Sequence, residues 1–386
     1  MPWSVMLWLA CQPTVRTELP PPPEPAPVAR EAVPYEPGAS YREELATLGQ
    51  RIDYFEAKSD LDPAGPPTAQ AADLLLDRAR LTGAFDDAHR ALERLDRAFE
   101  VRADHPGARA SRARLHLSYR RYDQAKSDLE GIRWQERLHA RIALERGDLA
   151  DAAARLEKLA SSNKAEDLVQ LARLHVARGD DDAALQALHE AERRYKGAWN
   201  SPLAEIHLLR ADLALSKGQL DDAAKHVEAA DGAMRGAPTV ALRRAELAVR
   251  RDAPAEAQQV LEASLNVVRL PATLEALARA TAAQGGDTEP SRASARAAWE
   301  AQLAEAPEAT WGPLARHHLF WGDAEAALPL AEQDHRNRPC TEATLTLARA
   351  LHGVGRQEEA RRLLSELHGR LPEAPGLADA RAALGQ

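Results

Sequence analysis

The sequence predicts an all-α protein in which pairs of antiparallel helices stack side by side. Hydrophobic residues make up 45% of the chain and aromatic residues only 4%, so most apolar side chains are small or aliphatic and suit closely spaced helices. Apolar residues recur at helical spacing, and no run of alternating β-branched residues indicates a strand. Small residues also repeat at a regular interval, which favours a repeat array over two or three separate domains.

The repeat is clearest in one recurring alanine. Nine such alanines have a mean spacing of about 34 residues, and in six repeats a glycine stands five residues earlier, where the first helix must end and the chain reverse. A second alanine stands seven residues before the turn in eight repeats, and small residues on facing helices let the backbones approach closely. The first alanines are Ala88, Ala125, Ala152, Ala184, Ala223, Ala257, Ala295, Ala327 and Ala360; the glycines are Gly83, Gly147, Gly179, Gly218, Gly322 and Gly355; the second alanines are Ala113, Ala140, Ala172, Ala211, Ala245, Ala278, Ala315 and Ala348.

These spacings resemble those of tetratricopeptide repeats. The resemblance covers residues 69–372 and implies a right-handed α-solenoid of about nine helix-turn-helix units. Arg120 and Asp252 depart from it, because they stand where other units have the turn glycine, and the turn at 285–290 is longer than usual. The matching residues near the C-terminal end are Trp311, Leu314, Ala315, Gly322, Ala327 and Pro339, followed by Leu347, Ala348, Gly355, Ala360, Leu364 and Pro372.

Further segments flank the array. Residues 41–60 carry apolar residues at helical spacing and predict an amphipathic helix before it. Residues 373–386 predict a capping helix that covers the last apolar face. Residues 12–40 are rich in proline, with nine prolines between positions 13 and 37, and predict a disordered, extended tether.

Residues 1–11 form a short apolar run that ends in Ala10 and Cys11. This run resembles the end of a bacterial lipoprotein signal, which implies lipidation of Cys11 and a membrane anchor followed by the tether. Gln12 after the cysteine is compatible with sorting to the outer membrane under the rule of that family. The alternative is a disordered N-terminus on a cytoplasmic protein with a chance cysteine.

Charge and composition exclude several classes of function. The net charge is −9, and arginine is interspersed with acidic residues along most of the chain. A nucleic-acid-binding protein needs a dense positive face, so this class is disfavoured. No segment has the roughly 20 apolar residues that a membrane span requires. The two cysteines, Cys11 and Cys340, lie too far apart in the chain to indicate a disulfide framework.

The tetratricopeptide resemblance implies that the first helix of each unit lines a concave groove, with the residue six positions before each turn facing inward. Six of the nine residues at this position are arginine: Arg114, Arg141, Arg173, Arg279, Arg316 and Arg349. The other three are Asp77, Asp212 and Glu246. One hypothesis is that the arginines bind acidic side chains or the C-terminal carboxylate of a protein or peptide partner. The alternative is that they pair with acidic residues on neighbouring repeats and fill the groove.

No catalytic motif, phosphate-binding loop or metal-ligand pattern is present in the sequence, so we expect no enzymatic activity, cofactor or metal. The histidines His116, His175 and His318 stand where the family has a packed aromatic ring, so they predict packing rather than ligation. Phe320 is a candidate anchor in the groove, and Cys340 is expected to be a small buried apolar residue. A small-ligand or enzymatic site in the aromatic and histidine cluster at 311–321 remains an alternative.

The sequence therefore predicts a non-enzymatic scaffold that binds proteins through its groove. By resemblance to envelope lipoproteins, it would recruit or position partners at the cell envelope, anchored to the outer membrane and facing the periplasm. A cytoplasmic adaptor or regulator with the same groove is the alternative. Fold-level resemblance does not identify the partner.

Overall fold

The computed structural model describes residues 40–386 except 133, 162, 163, 198, 384 and 386. Over these residues the chain forms twenty α-helices and no strand, so the predicted all-α class is confirmed. Residues 1–39, which include the predicted signal segment with Cys11 and almost the whole predicted tether, lie outside the described part. The helices are α1 (Tyr41–Leu61), α2 (Pro66–Thr82), α3 (Phe85–Val101), α4 (Pro106–Ser118), α5 (Tyr122–Leu129), α6 (Glu136–Arg146), α7 (Leu149–Ala160), α8 (Ala165–Arg178), α9 (Asp181–Arg194), α10 (Ser201–Ser216), α11 (Leu220–Ala233), α12 (Pro238–Arg250), α13 (Pro254–Leu265), α14 (Pro271–Ala283), α15 (Glu289–Glu305), α16 (Pro307–Phe320), α17 (Ala324–Asn337), α18 (Thr341–Gly353), α19 (Gln357–Arg370) and α20 (Leu377–Ala383).

Helices α2 to α19 pack as nine antiparallel hairpins, which we number from hairpin 1 (α2 and α3) to hairpin 9 (α18 and α19). Each hairpin also packs against the next, and the first helices of most successive hairpins touch, so the hairpins stack in one dimension. At the N-terminal end α1 packs against α2. At the C-terminal end α20 packs against α18 and α19 and buries Leu377 and Ala380.

The turn inside every hairpin depends on one residue in the left-handed conformation. At the nine turn positions φ lies between +59° and +83°. Seven of these residues are glycines, while Arg120 and Asp252 adopt the same conformation with φ of +59°. Both sets of recurring alanines are at most 2% exposed. The small residues therefore permit the close helix packing that their spacing predicted.

The array also winds back on itself, so that hairpins from its two halves meet. The backbone N–H of Tyr41 donates to the carbonyl of Arg235 at 3.0 Å, and that of Asn200 donates to the Glu44 carboxylate at 3.1 Å. The Asn337 side-chain amide donates to the carbonyl of Arg120 at 3.0 Å. The superhelix therefore completes one turn in about five hairpins.

The contact between Asn337 and Arg120 joins two different edges of the array. The turn edge consists of the turns inside hairpins, and the loop edge consists of the connections between hairpins. The turn glycines of hairpins 1 and 3 lie so close to the other half that an added Cβ would be 2.6 Å from the side chain of Leu270 at Gly83 and 3.0 Å from the Cα of Cys340 at Gly147. At Gly179, in hairpin 4, an added Cβ would clash with the backbone of Glu373. We call this contact, between the turn edge of hairpins 1–4 and the loop edge that follows hairpins 6–9, the seam.

Candidate functional site

Residues at the predicted inward positions of the array form ion pairs. The guanidinium of Arg114 lies 2.5 Å from the Asp73 carboxylate, and that of Arg141 donates to Glu145 at 2.8 Å. Arg173 pairs with Glu205, Arg279 with Glu275, Arg316 with Glu342, and the acidic Asp212 with Arg243. The structure therefore brings five of the six predicted groove arginines into contact with carboxylates of this chain.

The partner residues were not singled out from the sequence, but most of them stand at one of two kinds of position. Some stand one helical turn away on the same helix, such as Glu145 after Arg141 and Glu275 before Arg279. Others stand on the next first helix, nearer its start, such as Glu205 and Glu342. The same-helix partners could have been found from the spacing of four residues that brings side chains together on a helix. The partners on the next helix depend on how the hairpins stack.

Charged side chains on the first helices of hairpins 1, 3, 4 and 5 lie close enough to affect one another, and we call the surface that they form the inner wall. Burial lowers the pKa of Arg80, on α2, and the charges of Arg141 on α6 and Arg173 on α8 lower it further. Asp77 and Glu205 act in the opposite direction. Side chains from four of the first five hairpins thus influence one another, as expected if one turn of the superhelix contains about five hairpins.

Three of these guanidinium groups have donors that the described residues do not use. Nε of Arg80, one terminal nitrogen of Arg141 and Nε of Arg173 are buried and make no hydrogen bond to another described residue. The side chains of Arg141 and Arg173 nevertheless remain 15% and 14% exposed, and that of Glu205 remains 40% exposed. An acceptor group that reaches these guanidinium groups would satisfy donors that now lack one.

The buried carboxylates fall into two electrostatic classes. Burial raises the pKa of Glu145, but nearby positive charges, which include Arg141 and Arg120, together lower the pKa to about 2. Glu342 behaves in the same way, because Arg316 and Arg338 bring its pKa to about 2 against the effect of burial. By contrast, burial raises the pKa of Asp212 despite the adjacent Arg243. The carboxylates of Glu145 and Glu342 therefore lose their protons more readily than the carboxylate of Asp212 does.

Hairpins 7 and 8 differ from this pattern, because their inner side chains are closed off. Arg279 is only 7% exposed and donates to the Glu275 carboxylate at 2.7 Å. That carboxylate also binds Nδ1 of the buried His317. The ring of Phe320 covers the Arg279 guanidinium at 4.1 Å from its centroid, which is a cation–π arrangement. Phe320 itself is 39% exposed, so the predicted anchor caps an arginine rather than standing alone.

The remaining candidate residues have packing environments. His116, His175 and His318 are partly buried and lie 3.6 to 3.8 Å from Asp128, Asp180 and Asp323, respectively. Burial lowers the pKa of His116 and of His318. Cys340 is half-buried rather than buried, and its Sγ accepts a hydrogen bond from Arg338 at 3.4 Å.

The last groove arginine, Arg349, is half-buried. Burial lowers its pKa, and the charge of Asp379 on α20 opposes this shift. Within the described part of the chain, no group of three His, Cys, Asp or Glu side chains is placed to hold a metal ion. Among the described helices, none combines the length and the apolar character that a membrane span requires.

No family model matches the chain, and no curated protein matches it. The chain is similar to several solved structures. The APC/C hetero-tetramer Cut9–Hcn1 has a TM-score of 0.46 and 16% identity, over 81% of this chain and 62% of that one. The type IV pilus biogenesis factor PilW has a TM-score of 0.33 and 16% identity, over 56% of this chain and 97% of that one. Yeast Tom70 has a TM-score of 0.33 and 12% identity, over 88% of this chain and 93% of that one.

The chain spans less than two thirds of the length of the Cut9 structure. These similarities concern the helical architecture alone. The chain itself forms nine hairpins with left-handed turns and buried alanines. These features match the tetratricopeptide-like spacing of alanines and turn residues in the sequence. The protein has a tetratricopeptide-type helical fold.

Proposed function

We propose that the protein is a non-enzymatic scaffold that binds an extended acidic segment of a partner protein along its inner wall. The observation that carries this proposal is the set of buried guanidinium donors on Arg80, Arg141 and Arg173 that have no acceptor among the described residues. Carboxylate groups are the natural acceptors for such donors, because arginine binds them with charge-assisted hydrogen bonds.

Binding of an acidic segment at the inner wall would replace a carboxylate of this chain with a carboxylate of the partner. Glu205 is the most exposed of the inner partners, and it pairs with Arg173. A partner carboxylate that displaces Glu205 from Arg173 would release it towards solvent, so the net gain per arginine is small and several contacts are needed. An extended peptide that follows successive hairpins supplies these contacts in series.

A fluorescently labelled oligoglutamate peptide tests the proposal with the full chain. We expect salt-dependent binding by fluorescence anisotropy, and at least a roughly tenfold weaker affinity for the triple variant Arg80→Gln, Arg141→Gln and Arg173→Gln. The matched control is Arg193→Gln with Arg356→Gln, two arginines that pair with glutamates on the outer surface. Absence of binding, or equal affinity of the triple variant and the wild type, would contradict the proposal.

We further propose that the scaffold acts at the cell envelope, held there by acylation of Cys11. The support is the sequence alone, namely the apolar run that ends at Cys11 and the proline-rich segment that follows it. Metabolic labelling with a fatty acid tests this, with Cys11→Ala as the control. Label on the wild type but not on the variant supports an anchored scaffold, whereas an unlabelled protein in the soluble fraction would favour the cytoplasmic adaptor.

A further inference from the structure

The seam uses only half of each edge of the array. The turn edge of hairpins 1–4 is covered by the loop edge that follows hairpins 6–9. Because the superhelix makes about two turns, the other halves of both edges lie at its two ends. We call them the free turn edge, formed by the turns of hairpins 5–9, and the free loop edge, formed by the connections from α1 to hairpin 4.

The turn glycines show the difference between the covered and the free parts. A Cβ added at Gly83, Gly147 or Gly179 would contact the other half of the chain. A Cβ added at the turn glycine of hairpin 5, 7, 8 or 9 would meet no atom of the described residues within 4 Å. These four glycines are Gly218, Gly285, Gly322 and Gly355. The free turn edge is therefore an open surface with the same backbone conformation as the covered one.

The free loop edge carries exposed apolar side chains. Leu61 is 87% exposed, and Val101 and Trp134 are each 64% exposed. They lie at the end of α1, at the end of α3 and in the connection between α5 and α6. Three consecutive connections on this edge thus each present one large apolar residue to solvent.

Two of these residues occupy a position at the end of a helix that forms seam contacts in other hairpins. Leu61 and Val101 are each the last helical residue before an extended C-cap residue with φ near −140°. Glu305 and Asn337 occupy the same position at the ends of α15 and α17.

Both of these equivalents contact the turn of hairpin 2. The carbonyl of Glu305 accepts a hydrogen bond from Arg121 at 3.4 Å, and the Asn337 side chain donates to the carbonyl of Arg120 at 3.0 Å. The exposed apolar residues therefore stand where this fold places a neighbouring turn. What they lack is a turn edge to pack against, and a second copy of the chain has one.

We propose that the free turn edge of one molecule packs on the free loop edge of a second copy, so that the two copies continue one superhelix. This contact would repeat between two molecules the geometry that the seam shows within one. A second copy therefore fits these edges better than an unrelated partner. Because the two surfaces are different, the association is head to tail and does not close on itself. The product is an open filament whose length depends on concentration.

Analytical ultracentrifugation of the full chain tests this inference with two edge variants. The loop-edge variant is Val101→Lys with Trp134→Lys. The turn-edge variant is Val354→Lys with Asp287→Lys, since Val354 and Asp287 lie at the turns of hairpins 9 and 7. The control is Tyr54→Lys, because Tyr54 is 54% exposed but lies in the middle of α1, away from both edges.

We expect the wild type and the control to form species that grow with concentration, and each edge variant to remain monomeric. An equimolar mixture of the two edge variants should form a dimer and nothing larger, because only one intact pair of edges remains. A wild type that is monomeric at every concentration would overturn the proposal. So would edge variants that associate like the wild type, or a mixture that stays monomeric.

Discussion

At the residue scale, the turn positions show how strictly the backbone selects its side chain. Seven of the nine turns use glycine, the residue for which a positive φ carries no steric cost. Arg120 and Asp252 adopt the same φ with a Cβ present. Arg120 is buried and takes part in the seam through Asp334, at 3.7 Å. Asp252 lies exposed at a free turn, and of these two residues Arg120 is the one whose contact with another hairpin offsets the strain.

This difference predicts opposite effects of glycine at the two positions. Asp252→Gly should increase the free energy of unfolding by about 1 kcal/mol, because the left-handed conformation is relieved and no seam contact is lost. Arg120→Gly should give no gain or a loss, since the ion pair with Asp334 disappears. Urea unfolding followed by circular dichroism measures both changes. Equal stabilisation by the two substitutions would show that the Arg120 side chain contributes nothing.

Glu342 gives a second prediction at this scale. Burial raises its pKa, but Arg316, Arg338 and Arg120 lower it to about 2, below its ordinary value of 4.5. The ionised carboxylate therefore stabilises the fold fully above about pH 4.5, by at most roughly 3 kcal/mol, and this contribution disappears as the pH falls towards 2. Glu342→Gln should thus destabilise the protein at pH 7 and have less effect at pH 3.

The control for this experiment is Glu358→Gln. Glu358 pairs with Arg361 on the surface and is 87% exposed, so its loss should change stability little at either pH. Unfolding free energies at pH 7 and pH 3 give the comparison. If Glu342→Gln lowered the unfolding free energy equally at pH 7 and pH 3, the guanidinium groups around Glu342 would not be lowering its pKa.

At the scale of the helical element, the sequence predicted most of the architecture. Recurring alanines and turn glycines are local signals, because each fixes the packing or the backbone of one hairpin. For this reason the hairpins and even the atypical turns at Arg120 and Asp252 could be predicted. The pairing of the groove arginines with carboxylates of the same chain was, from the sequence, only one of two alternatives. It depends on carboxylates such as Glu205 and Glu342, whose distance to the arginine is set by the stacking of the hairpins.

Two turn glycines in otherwise similar hairpins test the contribution of the seam. Gly179 and Gly218 have φ of +81° and +71°, so alanine should strain both turns by about 1–2 kcal/mol. Only at Gly179 would the added Cβ also clash with the Glu373 backbone. Gly179→Ala should therefore be the more destabilising substitution, and it should increase amide hydrogen exchange in the connection after α19. Equal losses at both positions, with unchanged exchange, would contradict a seam at Glu373.

At the scale of the whole molecule, the seam is the feature that the sequence did not predict. Each hairpin is rotated slightly relative to the one before it, and these small rotations add up along nine units. Repeat spacings that vary from 27 to 39 residues in the sequence do not determine this sum. The contacts that close the superhelix, such as the one between Asn337 and Arg120, join residues that no local pattern relates.

Reversing one seam charge should open the molecule. Arg121 lies 3.5 Å from the Glu308 carboxylate and donates to the carbonyl of Glu305. Arg121→Glu would place like charges together, so we expect a larger radius of gyration by small-angle X-ray scattering, with unchanged helical content. The control Arg251→Glu lies at a free turn and pairs with the exposed Asp221. An unchanged radius for Arg121→Glu would mean that other seam contacts are sufficient.

The seam also bears on how the chain folds and unfolds. In an open array each hairpin touches only its neighbours, so the ends can fray while the middle persists. Here Arg121 binds the carbonyl of a residue 184 positions away, and Tyr41 near the start is hydrogen-bonded to Arg235. The turn of hairpin 1 lies against Leu270, and the connection after hairpin 9 lies against Gly179. Neither terminal hairpin can therefore separate without breaking long-range contacts, which raises the cooperativity of unfolding. Folding should correspondingly end with a slow step, in which hairpins that formed locally and rapidly come together across the seam.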